Sequence, residues 1–557
     1  MYFFSFRKQQ AFFSFLLVLS LLVNSYAQAA ATAPAKAPLS AAENELAAKI
    51  SVDTIKELTG ALSAPDMQGR GTMQPGGDKA AGYIADRMAK LGLKPLGDKG
   101  SYLQKIKFKE TVLAPETSVK IGDETLKQRD DFYSMPFNNG DKSASGDLVF
   151  VGYSIMAKAI NRADLDGMDV SGKIVVMIQG PPASISDEDW KAARASMGIM
   201  RLLVQKQAAG FIFIDHGREK HPYAESADYL SRRQVSLSDE QAGFPPGLPP
   251  FIAIGGQGAE KLFAKSGTTM KEAIAKAEKE DFRAFKLNQS AKINIKFKQT
   301  SGTSNNVAGV MEGSDPKLKE EAIVFSAHYD AYGTENGKIY PGAADNALGV
   351  AEMLAVAEAF SKMPEKPKRS LIFLAVTGEE YGLYGSQHWA KNPTWDIKKV
   401  AANLNLDGIG TEVYGPVKTV VGFGAEHSTI GTILSDVASP MGISIIPDPV
   451  PEEKVFYRSD HYSFVEKGVP SLMLLGAPAG DKAIWLKRIK DWEKTDYHQP
   501  GDVVKADWAW EGAHTVAVVM GIMGHRIAAA DKMPEWLSSS RFAKLERGNT
   551  KDVPQQP

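Results

Sequence analysis

Short apolar runs closed by turn residues alternate with stretches of helical period along the C-terminal half of the chain. From about Ser304 the strand candidates are AIVFSA (Ala322 to Ala327), SLIFLAV (Ser370 to Val376), AANLNLD (Ala401 to Asp407), KTVVGFG (Lys418 to Gly424) and PSLMLLG (Pro470 to Gly476). Between the first two, Val350, Met353, Leu354, Ala357 and Phe360 recur at helical spacing and predict a helix with one apolar stripe. Near-continuous apolar strands alternating with helices predict an α/β fold, with a mostly parallel central sheet flanked by helices on both faces.

The N-terminal half reads differently. A helical pattern runs from about Ala41 to Leu58, and GGDKAAGYIADRMAKLGL places Ala81, Ile84, Met88 and Leu91 on one helical face before a stop at Gly92. The β-like segment YLQKIKFKETVL (Tyr102 to Leu113) follows. From Ser143 to Ile293 short β-type runs take over: GDLVFVGYSI, GKIVVMIQG, AGFIFID and PPFIAIG, with GFPPGLPP (Gly243 to Pro250) as a loop. This predicts a separate β-rich domain over 143–293, inserted in a host whose parts are 41–142 and 294–533. A polar tail, 534–557, ends in KDVPQQP.

Composition narrows the class. At 557 residues, the length suggests about three or four units. With 65 basic and 66 acidic residues the net charge is -1, which gives no electrostatic case for nucleic acid. Residues 1–29 read as a signal peptide: Arg7 and Lys8 precede the apolar run Ala11 to Val23, and Ala27-Gln28-Ala29 offers a cleavage site. That run is short for a span of about 20 residues, so no stable membrane insertion is expected after cleavage. An Ala/Pro linker covers 30–40. The expected location is exported, periplasmic or extracellular. The chain has no cysteine, so a metal would be held by His, Asp and Glu alone.

In such sheets ligands bind outside the carboxyl ends of the strands, and three predicted strands end there in acids or histidines. The first runs into His328 and Asp330, the second into Glu379 and Glu380, the third into Asp407. PGAADNALGV puts Asp345 where the striped helix begins, and DYHQPGD puts His498 on a later loop. Singly, each has an ordinary reading: Asp345 as a helix N-cap, the glutamates and His498 as solvated loop residues, His328 as a satisfied interior histidine. Those readings leave their gathering at one sheet edge unexplained. Two divalent metals about 3.5–4 Å apart, sharing one carboxylate, would account for it. His328, Asp345, Glu380, Asp407 and His498 suffice for such a pair, in a donor set that suits zinc, with manganese or cobalt also open. Glu379 is left over as a general base, and Asp330 as the group that orients and polarises His328.

These residues, in this order, resemble the co-catalytic zinc metallopeptidases of family M28, which include bacterial leucyl-type aminopeptidases. The motifs are SNNVAGVMEG, SAHYDAYG, PGAADNALGVAEML, LAVTGEEYGLYGS, NLNLDGIG and DYHQPGD, with RSDHYSF, between Ser304 and Asp502. Gln68 to Pro95 is similar to the same family's N-terminal segment. The inserted region resembles a protease-associated domain through YSI, DLDGMDVSGKIVVMIQGPP and AGFIFID. The resemblance implies a zinc exopeptidase fold binding two Zn2+, one held by His328 and Asp407, the other by Glu380 and His498, with Asp345 bridging. It makes Glu379 the catalytic base and sets Asp330 to orient His328. Ala344 and Leu348 stand where many members carry Asp and Ser, and neither position is a ligand.

The activity so implied is hydrolysis of N-terminal residues from peptide substrates. Tyr457 lies in the segment where members place substrate-pocket and oxyanion groups; donation to an oxyanion and simple packing are both open for it. Asp460 and His461 are candidates for supporting the ligands. Other readings on the same scaffold are a carboxypeptidase, with Arg458 as the nearest cation for a substrate carboxylate, a glutaminyl cyclase, or a non-catalytic binding module. The intact ligand set argues against the last two. Side-chain preference and oligomeric state are not legible.

Overall fold

The computed structural model describes residues 37–136, 140–157, 160–186, 188–190, 199–216, 222–240, 247–408, 413–477, 482–549, 551 and 553–556. The expected signal peptide and residues 30–36 of the linker lie outside the described residues, as do 243–246 of the Pro/Gly-rich loop. Where length suggested three or four units, the described chain forms two: residues 109–234 with 239–300, and residues 37–108, 235–238 and 301–557.

The first unit is built on an eight-stranded mixed sheet. Lys142–Phe150, Ile174–Ile178, Gly210–Ile214 and Phe251–Ile254 run parallel in its middle, and Phe285–Ile295 pairs antiparallel with Lys142–Phe150. All five residues of Ile174–Ile178 are buried, as a two-sided central strand requires. Its core includes Phe150, whose ring meets those of Phe263, Phe282 and Phe285 at centroid distances of 5.3, 5.8 and 5.3 Å.

The second unit carries the larger sheet. Its main strands, in chain order, are β1 Leu103–Leu113, β2 Gln234–Leu237, β3 Phe297–Met311, β4 Ala322–His328, β5 Ser370–Val376, β6 Val400–Asn405, β7 Thr419–Phe423, β8 Ser444–Ile446 and β9 Ser471–Ala477. They lie in the order β2-β1-β3-β5-β4-β6-β9-β7-β8. The central four, β5, β4, β6 and β9, are parallel to one another, while β3 joins β5 and β7 joins β9 antiparallel. The sheet is therefore mixed, and parallel in the middle.

Helices α1 Ala41–Lys49, α2 Val52–Leu62, α3 Pro75–Lys90, α4 Leu348–Ser361 and α5 Glu511–Ala529 belong to this unit. The single helix expected over 41–58 breaks at Ile50 and Ser51, because Ile50 is extended and the Ser51 hydroxyl accepts the Thr54 amide at 3.2 Å to cap a new helix. The stripe expected on α4 is also too narrow. Every residue of α4 is buried except Glu358 and Ser361, because α2 and α5 pack on it as well as β4. No helix among the described residues is long and apolar enough to cross a membrane.

Register decides where the polar strand ends go. His328 at the end of β4 lies opposite Val376 at the end of β5, and Ser326 lies opposite Asn405 at the end of β6. The residues that follow each strand thus emerge along one edge of the sheet.

Candidate metal centre

Parallel pairing brings His328, the Thr377–Glu380 turn and Asp407 together, and the turn before α4 adds Asp345. That turn, Ala343–Ala347, is buried throughout, and Asp345 does not cap the helix. Asn346 does the local work instead: its side-chain oxygen accepts the Gly349 amide at 3.0 Å and its NH2 donates to the Leu406 carbonyl at 2.9 Å. The Asp345 carboxylate is left to face the histidines.

It faces both. Oδ1 lies 3.2 Å from His328 Nε2, and Oδ2 lies 3.1 Å from His498 Nε2. Asp407 Oδ1 stands 3.6 Å from His328 Nε2, and Glu380 Oε2 stands 3.0 Å from His498 Nε2. Two triads result, His328–Asp345–Asp407 and Asp345–Glu380–His498, each with ligand atoms mutually within 4.8 Å and each able to hold a metal ion.

Two further observations test whether a cation fits. No lysine or arginine among the described residues forms an ion pair with Asp345, Glu379, Glu380 or Asp407. Asp407 Oδ1 is buried and makes no hydrogen bond, while Oδ2 accepts from the Ser459 hydroxyl at 2.6 Å. Buried carboxylates crowded on imidazoles, with one oxygen aimed at their centre and no resident cation, are costly unless a metal neutralises them. The donor set therefore fits.

The electrostatics carry the same stamp. Burial works against a charged His328, yet Glu379, Asp345 and Asp407 hold its pKa well above the ordinary value. Burial likewise opposes His498, but Glu380 and Asp345 carry it up to about 9. Burial pushes the Asp345 carboxyl up, and the two imidazoles outweigh it and bring it below its usual range. For Glu379 burial dominates over the opposing His328, and Asp460, Asp407 and Glu380 add to it, so its carboxyl lies well above the usual range.

The remaining groups hold this constellation in place. Asp330 is wholly buried; Oδ1 accepts the Glu379 amide at 3.2 Å and Oδ2 accepts the Thr72 hydroxyl at 3.2 Å. Its carboxylate is 3.8 Å from His328 Nδ1, while its own carbonyl lies nearer, at 3.1 Å, so backbone rather than carboxylate makes the short contact to that ring. The Nδ1 of His498 meets the Tyr332 hydroxyl at 3.3 Å, and the Tyr497 ring stacks on it at 3.8 Å. A relay of side chains supports Asp407. Asn403 donates to Ser326, Ser326 to Asn405, Asn405 to Ser459, and Ser459 to Asp407, at 2.9, 2.6, 2.8 and 2.6 Å.

Glu379 reaches 4.0 Å from His328 Nε2 and belongs to neither triad; its side chain is 13% exposed against 2% for Glu380, so it is the carboxylate open to the cleft. Tyr457 is not brought into this set. Its hydroxyl accepts from Arg541 Nη1 at 2.8 Å, and its ring packs on Phe456 and Tyr462, both at 5.0 Å. Arg458 lies 3.7 Å from the Glu453 carboxylate. Asp460 and His461 are wholly buried; burial pushes Asp460 up to about 7 and His461 down to about 3. Sequence reading missed Arg70, Thr72, Ser459 and the role of Asp502. Arg70 and Thr72 lie in QGRGT, and Ser459 directly precedes Asp460, so each was in view without a signal of its contact.

Residues 306–521 match the family model Peptidase family M28. Among curated proteins, the vacuolar membrane protease of Clavispora lusitaniae is 31% identical over 171 residues, which are 31% of this chain and 15% of that protein. Aminopeptidase YwaD of Bacillus subtilis is 32% identical over 149 residues, 26% of this chain and 30% of that one. The chain thus spans less than a third of the length of these curated relatives. Among solved structures, an aminopeptidase from Aneurinibacillus sp. strain AM-1 covers 88% of this chain and 97% of its own, at TM-score 0.57 and 20% identity. A zinc aminopeptidase from Bacillus subtilis covers 91% and 98%, at TM-score 0.51 and 17% identity. At these identities the structural likeness is one of fold.

Proposed function

Since residues 306–521 of this chain form a domain of peptidase family M28, we propose that the protein is an exported zinc aminopeptidase that works with two metal ions. One observation carries the reading: Asp345 offers one carboxylate oxygen to each histidine, Oδ1 towards His328 and Oδ2 towards His498. His328, Asp345 and Asp407 would hold one ion, and Asp345, Glu380 and His498 the other, with Tyr332 fixing the His498 ring from its far side. Zinc is favoured by a donor set of His and carboxylate without cysteine, and by the zinc aminopeptidase that shares the fold.

Bound divalent metal polarises a peptide carbonyl and lowers the pKa of coordinated water towards neutrality. Glu379 takes the proton released as water attacks the carbonyl carbon, then delivers it to the leaving nitrogen. Asp330 places that carboxylate through the bond it accepts from the Glu379 amide. The buried Thr72–Thr377 hydroxyl pair, 3.0 Å apart, steadies Asp330 from behind. Residues 143–293 are read as a protease-associated domain inserted between the peptidase parts 41–142 and 294–533, and residues 1–29 as an export signal; peptides are the substrates.

The test is a digest. The mature protein, supplied with zinc, is incubated with a peptide mixture, half of it N-terminally acetylated, beside a Glu379→Ala control, and products are identified by mass spectrometry. Loss of single residues from free N-termini only, absent in the control, is the expected result. Trimming from C-termini would make it a carboxypeptidase, and cyclisation of N-terminal glutamine without cleavage a cyclase.

A further inference from the structure

Arg70 has no exposed surface, and it lies behind the metal ligands rather than among them. It sits in the left-handed region at φ 52°, after Gln68 at 50° and Gly69 at 68°. Non-glycine residues hold that conformation only where their surroundings enforce it. Its guanidinium donates to four backbone carbonyls: Nε to Tyr329 at 2.6 Å, Nη1 to Leu62 at 2.8 Å and to Pro341 at 2.5 Å, Nη2 to Gly342 at 2.7 Å. Tyr329 follows His328, and Pro341 and Gly342 open the turn that carries Asp345. One side chain thus joins the backbones behind two ligands.

Asp502 joins another pair. Its carboxylate accepts the Ala344 amide at 2.8 Å and the Asp345 amide at 3.0 Å, and its carbonyl accepts the Ala343 amide at 3.1 Å. It lies four residues after His498, so it fastens the His498 loop to the Asp345 turn. Burial brings Arg70 down to about 10, and the first of the acids that support its charge is Asp502.

We propose that Arg70 and Asp502 act as one positioning pair, clamping the 341–345 turn from its two ends so that Asp345 can bridge both metals. The proposal rests on the two-metal reading. Lysine cannot reproduce Arg70, because a single Nζ cannot span carbonyls that the guanidinium reaches from three nitrogens in a fixed plane. Asparagine cannot reproduce Asp502, because one of its two side-chain atoms would present N–H to a backbone N–H.

The test uses the full mature protein and its Arg70→Lys, Asp502→Asn and double variants. Zinc affinity of each is read by competition with a chromophoric chelator, the visible spectrum is taken after cobalt loading, and folding is followed by circular dichroism. Supporting ligand-orienting groups typically changes metal affinity by about 10–100-fold. Each single variant should lose affinity in that range and show an altered cobalt spectrum, and the double should lose little more than the worse single. A packing role alone would lower the melting temperature and leave affinity and spectrum as in the native protein, which would overturn the proposal. Losses that multiply fully in the double would overturn the pairing. If Arg70→Lys does not fold, near-isosteric Asp502→Asn decides: native affinity and spectrum there also overturn it. A native protein that takes up no metal would instead remove the two-metal reading, and this inference with it.

Discussion

Glu379 and Glu380 are neighbours of identical chemistry, and the proposed mechanism gives them separate tasks that one experiment can pull apart. Glu380 presents Oε2 at 3.0 Å from His498 Nε2 and completes a triad, whereas Glu379 comes no nearer than 4.0 Å to His328 Nε2. The perturbation is Glu→Gln at each position in turn, which keeps shape and removes the charge. At position 379 the amide cannot accept a proton, and loss of a general base costs about 10²–10⁴ in rate, or about 3–5 kcal/mol of barrier. Because Glu379 lies in neither triad, zinc content and KM should stay within a factor of about two to three, a shift under about 1 kcal/mol. At position 380 one of three donors of the second triad loses its anionic oxygen, so bound zinc should fall towards one per chain under dialysis, and excess zinc should restore part of the rate. Stopped-assay kcat and KM with metal analysis on the same samples read both outcomes. Full zinc content in Glu380→Gln together with zinc loss in Glu379→Gln would reverse the assignment, and a kcat within tenfold of native in Glu379→Gln would refute the base.

Chelation should lower the melting temperature by several degrees and zinc should restore it, since free zinc at a thousand times Kd stabilises by about 4 kcal/mol per site; calorimetry with and without chelator checks this, and no shift would mean the triads bind nothing. Ser459→Ala removes the 2.6 Å bond to Asp407 Oδ2 and should weaken zinc binding by about tenfold or more in a chelator competition. Gly342→Ala should destabilise by about 2 kcal/mol or more in urea unfolding, because Gly342 lies at φ 58° and a Cβ there would stand 2.4 Å from the Asp345 carbonyl. For Asp460, burial, partly offset by His328 and Ser386, holds the folded carboxyl at about 7 while the unfolded one titrates near its ordinary value. The folded state therefore binds the extra proton between those values, and stability falls as pH rises through that window. In chelated protein Asp460→Asn should thus melt above the native at pH 8 and level with it near pH 4; equal melting at both values would contradict the assignment.

What the sequence disclosed is what has a local period or a local edge. SLIFLAV is a strand over the same residues, Ser370–Val376, because a β-rich apolar run flanked by polar residues has one low-energy use in a covered sheet. His328, Glu380 and Asp407 follow predicted strands and Asp345 opens a predicted helix, and the parallel register gathers the strand-end residues, while His498 joins them from a later loop. The break at Ser51 was written in the sequence as a capping residue inside a helical period, where period outweighed cap in the reading. Arg70, Asp502 and Ser459 were not legible for a different reason. Arg70 reaches carbonyls 259 to 272 residues away, and a carbonyl is the same at every residue, so nothing in the partner's identity marks the contact. Asp502 meets amides 157 and 158 residues away on the same terms.

The proposed pair of ions can be weighed against the charge around the cleft as well as its geometry. Around the cleft, Asp330, Asp345, Glu379, Glu380, Asp407, Asp460 and Asp502 are largely or wholly buried, and Arg70 is the lone buried guanidinium beside them among the described residues. Burial pushes Asp460 and Asp502 up to about 7 and raises Asp330 too, and the Arg70 guanidinium opposes burial at Asp502. A metal ion in each triad would offset carboxylates that otherwise face no lysine or arginine in a low-dielectric cleft, where an uncompensated charge costs on the order of several kcal/mol. The local geometry explains how two glutamates can close an apolar strand: Gly378, at φ 73°, turns the chain so that the neighbours diverge, Glu380 to the His498 side and Glu379 to the His328 side.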